Sequence, residues 1–119
     1  MRSAYAHEAV LVMAPDADLG APGAAITVAL CGHWEHQPPC PLAAHHTRAE
    51  PASDEVRVRV LFATEPASES LVRQRIDLAL AGGEFRGPDG LVTRWRLRTS
   101  QPSDITAAEI DHAERLTHT

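Results

Sequence analysis

The sequence predicts a single α+β domain over residues 1–119, with an antiparallel or mixed sheet that carries two helices on one face. Three observations support this prediction. Segments 55–63 and 91–99 alternate apolar and polar residues with the period of a half-buried strand. The stretch 66–82, and another that begins near Ser103, have apolar residues at helical spacing. A chain of 119 residues suffices for one modest hydrophobic core but not for two.

The first half of the chain is expected to contribute strands only. A short apolar run at 8–14 has the length of a strand, and the turn-forming residues of 14–23 follow it. A second strand is expected at 25–33, where apolar and small residues alternate weakly. After a long loop that extends to residue 53, valines alternate with arginines in the third strand, 55–63.

The second half is expected to add the two helices. The first helix begins near Pro66 and ends at the glycine pair 82–83. Residues 84–86 and 91–99 form a short and a long strand joined by a turn. The last helix begins near Ser103, whose hydroxyl suits an N-cap. The predicted order is therefore β-β-β-α-β(β)-α.

The composition is that of an acidic globular chain. The net charge of −5 opposes general affinity for nucleic acids and membrane surfaces. The N-terminal apolar residues are interrupted by His7, Glu8 and Pro15, so we expect neither a secretory signal nor a membrane span. A cytoplasmic location with reduced thiols is the expectation that follows.

The most unusual segment is a Cys-, His- and Pro-rich loop at about 31–53. Both cysteines and four of the seven histidines lie there, in the pattern C-x-H-x₂-H-x₃-C-x₄-H-H. Thiolate and imidazole are the ligands that zinc prefers, and four of them make a closed tetrahedral site. We therefore expect this loop to bind one zinc ion. The candidate ligands are Cys31, His33, His36, Cys40, His45 and His46.

Spacing helps to choose among these six residues. Cys31 and His33 are two apart at the end of an expected strand, so they point to the same side. Adjacent residues of an extended segment point in opposite directions, so only one of His45 and His46 can reach a given ion. The preferred set is Cys31, His33, Cys40 and His45, with His36 and His46 as substitutes. A disulfide between the two cysteines, or loop histidines without any metal, are the alternatives.

Five arginines occupy outward positions of two predicted strands: Arg57, Arg59, Arg94, Arg96 and Arg98. If these strands are neighbours, the arginines line one sheet surface. Their positive charges would repel one another there unless acidic residues, a partner subunit or an anionic small molecule neutralise them. The chain has only five aromatic residues for base stacking, so nucleic acid is not the expected partner. A homodimer through this surface is an alternative.

Two functions of different class fit these observations. The first is a small zinc-binding domain with a structural or regulatory role. The alternative is a small enzyme or ligand-binding protein in which the Cys/His site and the arginines hold an anionic substrate. Glu35 is the obvious candidate for a general base, although an exposed loop acid is the simpler interpretation. No catalytic residue is assigned. Four protein ligands would indicate a closed site, and three with a water a catalytic one.

Overall fold

A computed structural model describes residues 1–31 and 42–118, which form five strands and three α-helices. The elements are β1 (Ser3–Met13), α1 (Ala21–Cys31), β2 (Ala44–Ala52), β3 (Glu55–Thr64), α2 (Glu69–Ala81), β4 (Glu84–Arg86), β5 (Val92–Ser103) and α3 (Ile110–Thr117). Short 3-10 turns precede α2 and α3. In the described ranges no helix is both long and apolar enough to cross a membrane.

The five strands form one antiparallel sheet in the order β2-β3-β1-β5-β4. β1 is central and pairs with β3 on one side and β5 on the other. Strands β1 and β2, which α1 connects, lie on either side of β3 in the sheet. Strands β3 and β5, which α2 and β4 connect, lie on either side of β1, so two βαβ units interleave. This is the split βαβ arrangement, and it confirms the predicted α+β class.

The hydrophobic core lies between one face of the sheet and the pair of helices α1 and α2. Leu11 and Phe62 of the sheet and Ile26, Ile76 and Leu80 of the helices are each 0 % exposed. The opposite face of the sheet, called the outer face here, is covered in part by α3, which contacts β1, β2 and β3. The two predicted helices therefore lie on opposite faces, because α2 shares its face with α1 and α3 does not.

The predicted strand at 25–33 is wrong, because this part of the chain belongs to α1 as far as Cys31. Four alanines favour the helix, and a proline in its first turn is tolerated there. The buried residues Ala25, Ile26 and Leu30 follow the helical period. Ile26, Val28 and Leu30 occupy every second position, and this spacing matched that of a strand only by coincidence.

The second correction concerns the loop predicted at about 31–53, since residues 44–52 of it form β2. This strand is polar because it lies at the edge of the sheet, where only one side pairs with a neighbour. Its side chains alternate between the two faces: Thr47 approaches Gly23 of α1, whereas His46 contacts α3. The observed order is β-α-β-β-α-β-β-α.

The start of the last helix also differs from its prediction. β5 continues to Ser103, so this residue belongs to the strand and is not the N-cap of the last helix. The 3-10 turn before α3 begins after Thr106, and Thr106 and Glu109 form a reciprocal capping box. The T-x-x-E spacing was the local signal for this start.

Trp95 links β5 to the end of α2 through a side-chain hydrogen bond. We expect Trp95→Phe to lower the free energy of unfolding by about 1–2 kcal/mol. The indole is 7 % exposed, and its Nε1 donates a hydrogen bond of 2.8 Å to the Leu80 carbonyl. Phenylalanine would keep most of the apolar contact and remove the indole hydrogen bond, so that the Leu80 carbonyl would accept only from backbone amides such as that of Gly83, at 3.2 Å. Urea denaturation measures the difference. Leu91→Ala, at a side chain that is 71 % exposed, is the control and should change stability by less than about 0.5 kcal/mol.

Candidate functional site

The Cys/His segment starts where α1 ends. Cys31 is the last residue of this helix, and His45 lies near the beginning of β2. The Cys31 Sγ is 3.9 Å from the His45 Nδ1, although the two residues are fourteen apart in the sequence. The structure thus brings together two of the predicted zinc ligands. The other members of the preferred set, His33 and Cys40, and the substitute His36 lie outside the described residues.

The ring of His45 is held at both nitrogens. Its Nε2 is 3.0 Å from the Thr27 hydroxyl, and its Nδ1 is 3.1 Å from the Ala43 carbonyl oxygen. Because a carbonyl can only accept, Nδ1 carries the proton, and Nε2 accepts a hydrogen bond from Thr27. A metal at Nδ1 would require the other tautomer. The Thr27 hydroxyl suits both, because it can accept from Nε2–H as well as donate.

The sulfur of Cys31 is disulfide-bonded. A disulfide sulfur carries no thiolate, and the thiolate is the form that binds metals. A zinc site that uses Cys31 therefore belongs to the reduced protein. The second cysteine of the chain lies outside the described residues. Among the residues that are described, no three or more His, Cys, Asp or Glu side chains cluster as a metal site.

His46 points away from Cys31 and His45, in line with the expectation that two adjacent histidines cannot both reach one ion. Its ring lies on the outer face against His112 of α3, with ring centroids 4.6 Å apart. Partial burial lowers the pKa of His46, and the neighbouring His112 and Arg48 lower it further. His46 is therefore remote from the predicted zinc site.

The five arginines of the predicted anion site lie on β3 and β5, which are not neighbours because β1 separates them. Three of the five arginines already form ion pairs with acidic side chains. Arg98 pairs with Glu55, and Arg94 is 3.9 Å from a carboxylate oxygen of Glu84. Arg59 is the most enclosed and is described below. An anionic ligand on this face would have to compete with these carboxylates.

The guanidinium of Arg59 anchors the chain that leads into α3. Its Nε and Nη2 donate to the two oxygens of Glu109 at 2.6 and 2.7 Å. Its other donors reach the Ser103 hydroxyl and the Asp104 carbonyl. The two side chains are 10 % and 12 % exposed. Hydrogen bonding to Arg59 lowers the pKa of Glu109 to about 2, although burial opposes this shift. Arg59 thus has a structural role in the described protein.

A second polar cluster surrounds His7, which is 1 % exposed on the central strand β1. Arg73 Nη1 lies 2.9 Å from Nδ1, and the Ser100 hydroxyl lies 2.8 Å from Nε2. Ser100 in turn donates to Asp77 Oδ1 at 2.5 Å. Burial lowers the pKa of His7; Asp77 opposes this effect and Arg73 adds to it. Sequence reasoning missed this cluster because its members are far apart along the chain.

The cluster contains the residue types of a hydrolase triad but not its chemistry. A guanidinium can only donate, so Nδ1 of His7 accepts from Arg73 and Nε2 holds the imidazole proton. This nitrogen therefore donates to Ser100 and cannot take the serine proton, as a general base must. The cluster is a satisfied buried network that joins β1, α2 and β5.

None of the known protein families matches this chain, and no curated protein matches it either.

Proposed function

We propose that the chain is a small zinc-binding domain in which reduced Cys31 and His45 supply two of the ligands. Zinc has a structural or regulatory role in this proposal. The observation that carries it is the approach of the Cys31 Sγ to within 3.9 Å of the His45 Nδ1. His33, His36 and Cys40 remain the candidates for the other ligands, and His46 is withdrawn from the set because it lies on the outer face.

The separation of the two atoms supports this proposal. With Zn–S near 2.3 Å and Zn–N near 2.0–2.1 Å, a sulfur and a nitrogen on one tetrahedral zinc ion are about 3.6 Å apart. The observed 3.9 Å is longer by only a few tenths of an ångström. Both residues belong to regular elements, α1 and β2, so the fold holds their backbones close together. Thr27 would then hold the protonated Nε2, as second-layer partners of metal-bound histidines do.

The proposal includes a cytoplasmic location, where thiol pools keep cysteines reduced. Loss of zinc would expose the reduced Cys31 thiol to oxidation. Since zinc binds the folded chain in preference to the unfolded one, part of its binding free energy should appear as stability.

In the reduced, tag-free protein supplied with zinc, we expect about one zinc ion per chain. Chelation should lower the melting temperature, because a ligand at one hundred times its Kd contributes about 2.7 kcal/mol to stability. Cys31→Ser and His45→Asn should each lose the metal and the effect of the chelator. His118→Asn, which changes an exposed histidine outside the proposed site, is the matched control and should retain both.

Elemental analysis and thermal melts with and without chelator provide the measurements. A zinc content near zero in reduced protein would overturn the proposal. Equal zinc content in wild type and Cys31→Ser would do the same, because the sulfur would then be no ligand.

A further inference from the structure

Two imidazoles meet on the outer face of the sheet, on the side away from Cys31 and His45. His46 of β2 and His112 of α3 have ring centroids 4.6 Å apart and an angle of 56° between their planes. In the described parts of the chain neither ring has a hydrogen-bond partner. His7 and His45 differ, because both nitrogens of each are within hydrogen-bond distance of other groups. The nitrogens of His46 and His112 are thus available to a ligand.

We propose that His46 and His112 bind one divalent transition-metal ion as two cis imidazole ligands. With a metal–nitrogen distance near 2.05 Å, two imidazole centroids lie about 4.5 Å apart when their nitrogens subtend 90° at the metal, and about 5.2 Å apart at the tetrahedral angle. The observed 4.6 Å matches the first value. Rotation about the Cβ–Cγ bonds changes the directions of the ring nitrogens and moves the centroids little.

An angle of 90° between the two nitrogens at the metal, which the centroid separation fits, would favour particular ions. Imidazole ligands at 90° are typical of square-planar or tetragonal Cu²⁺ and Ni²⁺, which also bind nitrogen ligands more tightly than most divalent ions of the first row. Water would complete the coordination. Arg48 opposes a cation here, because its charge already acts on His46. The site is therefore expected to prefer Cu²⁺ and Ni²⁺ to Zn²⁺, the reverse of a tetrahedral thiolate site.

The two ligands come from elements that are otherwise joined through few groups. α3 has eight residues, and Ala113 is its buried residue. A metal bound by His46 and His112 would tie this helix directly to the edge strand β2. Binding should therefore stabilise the contact of α3 with the outer face, in addition to the bidentate pair of Arg59 and Glu109.

The test uses tag-free protein with its Cys31 disulfide intact and with His45→Asn in every sample, so that the two described ligands of the proposed zinc site are not available, in a buffer without metal-binding components. Titration with Ni²⁺ alone should give one ion per chain, and His46→Asn and His112→Asn should each abolish it. His118→Asn is the matched control and should bind like the protein with His45→Asn alone. At a free Ni²⁺ concentration one hundred times its Kd, the melting temperature of the latter should rise by about 10 °C.

A second measurement needs no further substitution. Paramagnetic Cu²⁺ should broaden the amide signals of residues near the pair, such as Leu61 and Ala113, before those of the α1 and α2 layer. Equal Ni²⁺ binding with and without either further histidine substitution, His46→Asn or His112→Asn, would overturn the proposal, as would broadening that starts elsewhere. Because the thiolate site is oxidised throughout, this outcome says nothing about zinc at Cys31 and His45, and the two proposals fail separately.

Discussion

Replacement of Arg59 by methionine is expected to lower the free energy of unfolding by about 3 kcal/mol, because removal of one partner of a buried ion pair leaves the other charge uncompensated. Glu109 would keep its bond from the Thr106 amide and lose both bonds from the guanidinium. At 12 % exposure its carboxylate cannot recover full hydration. Chemical denaturation at pH 7 measures the loss.

The position of the lost contacts predicts where the protein opens. Arg59 also holds Ser103 and the Asp104 carbonyl, so it fixes the whole connection from β5 to α3. Amide hydrogen exchange in Arg59→Met should therefore increase first in Ile110–Thr117, while β1 and β3 stay protected. Arg57→Met changes an exposed arginine of the same strand and should cost less than about 0.5 kcal/mol. Similar losses in the two variants would contradict this account of Arg59.

Acid should destabilise the protein below about pH 6.5, the ordinary pKa of histidine. Burial lowers the pKa of His7 in the folded state, so the unfolded chain takes up the proton first. The stabilising contribution of neutral His7 is fully present above this pH and is lost as the pH falls toward the folded pKa. For one proton the slope reaches about 1.4 kcal/mol per pH unit. Denaturation midpoints between pH 8 and pH 5 test this slope.

His7→Gln separates the histidine from other acid effects. Glutamine keeps a polar group in the network but does not titrate, so the variant should lose most of the slope and about 1–2 kcal/mol at pH 8. His46 contributes in the same direction, although it is more exposed than His7. Glu109 acts at lower pH, since its folded pKa of about 2 lies below its ordinary value. An unchanged slope in His7→Gln would show that His7 does not cause the acid sensitivity.

The sequence was most informative where an element buries one regular face. The valines of β3 and the stripe Val72, Ile76 and Leu80 of α2 have unambiguous periods, and both elements occur as predicted. The apolar residues of 25–31 fit both the period of a strand and that of a helix, and the alanine content favoured the helix. β2 has little apolar signal because an edge strand with a polar outer side need not be apolar. Tertiary pairing, rather than composition, makes this segment a strand.

The candidate sites show the same division between local and distant information. That His45 and His46 face opposite ways follows from the geometry of any extended segment, and the structure agrees. The partner of His46, however, is His112 of α3, and the partner of Arg59 is Glu109 in the turn before α3, so both partners lie fifty or more positions away along the chain. No spacing rule can relate such residues. The buried network of His7 likewise depends on how β1, α2 and β5 pack together.

The central position of β1 has a consequence for synthesis of the protein. Among the five described strands β1 leaves the ribosome first, but its residue Ala6 pairs with Ser103 of β5, 97 positions later in the chain. At about 10 residues per second, roughly ten seconds pass before that partner exists. During this time the apolar run Ala9–Met13 has an unpaired edge, which favours association with other chains. Chaperones that bind nascent chains should therefore raise the yield of folded protein.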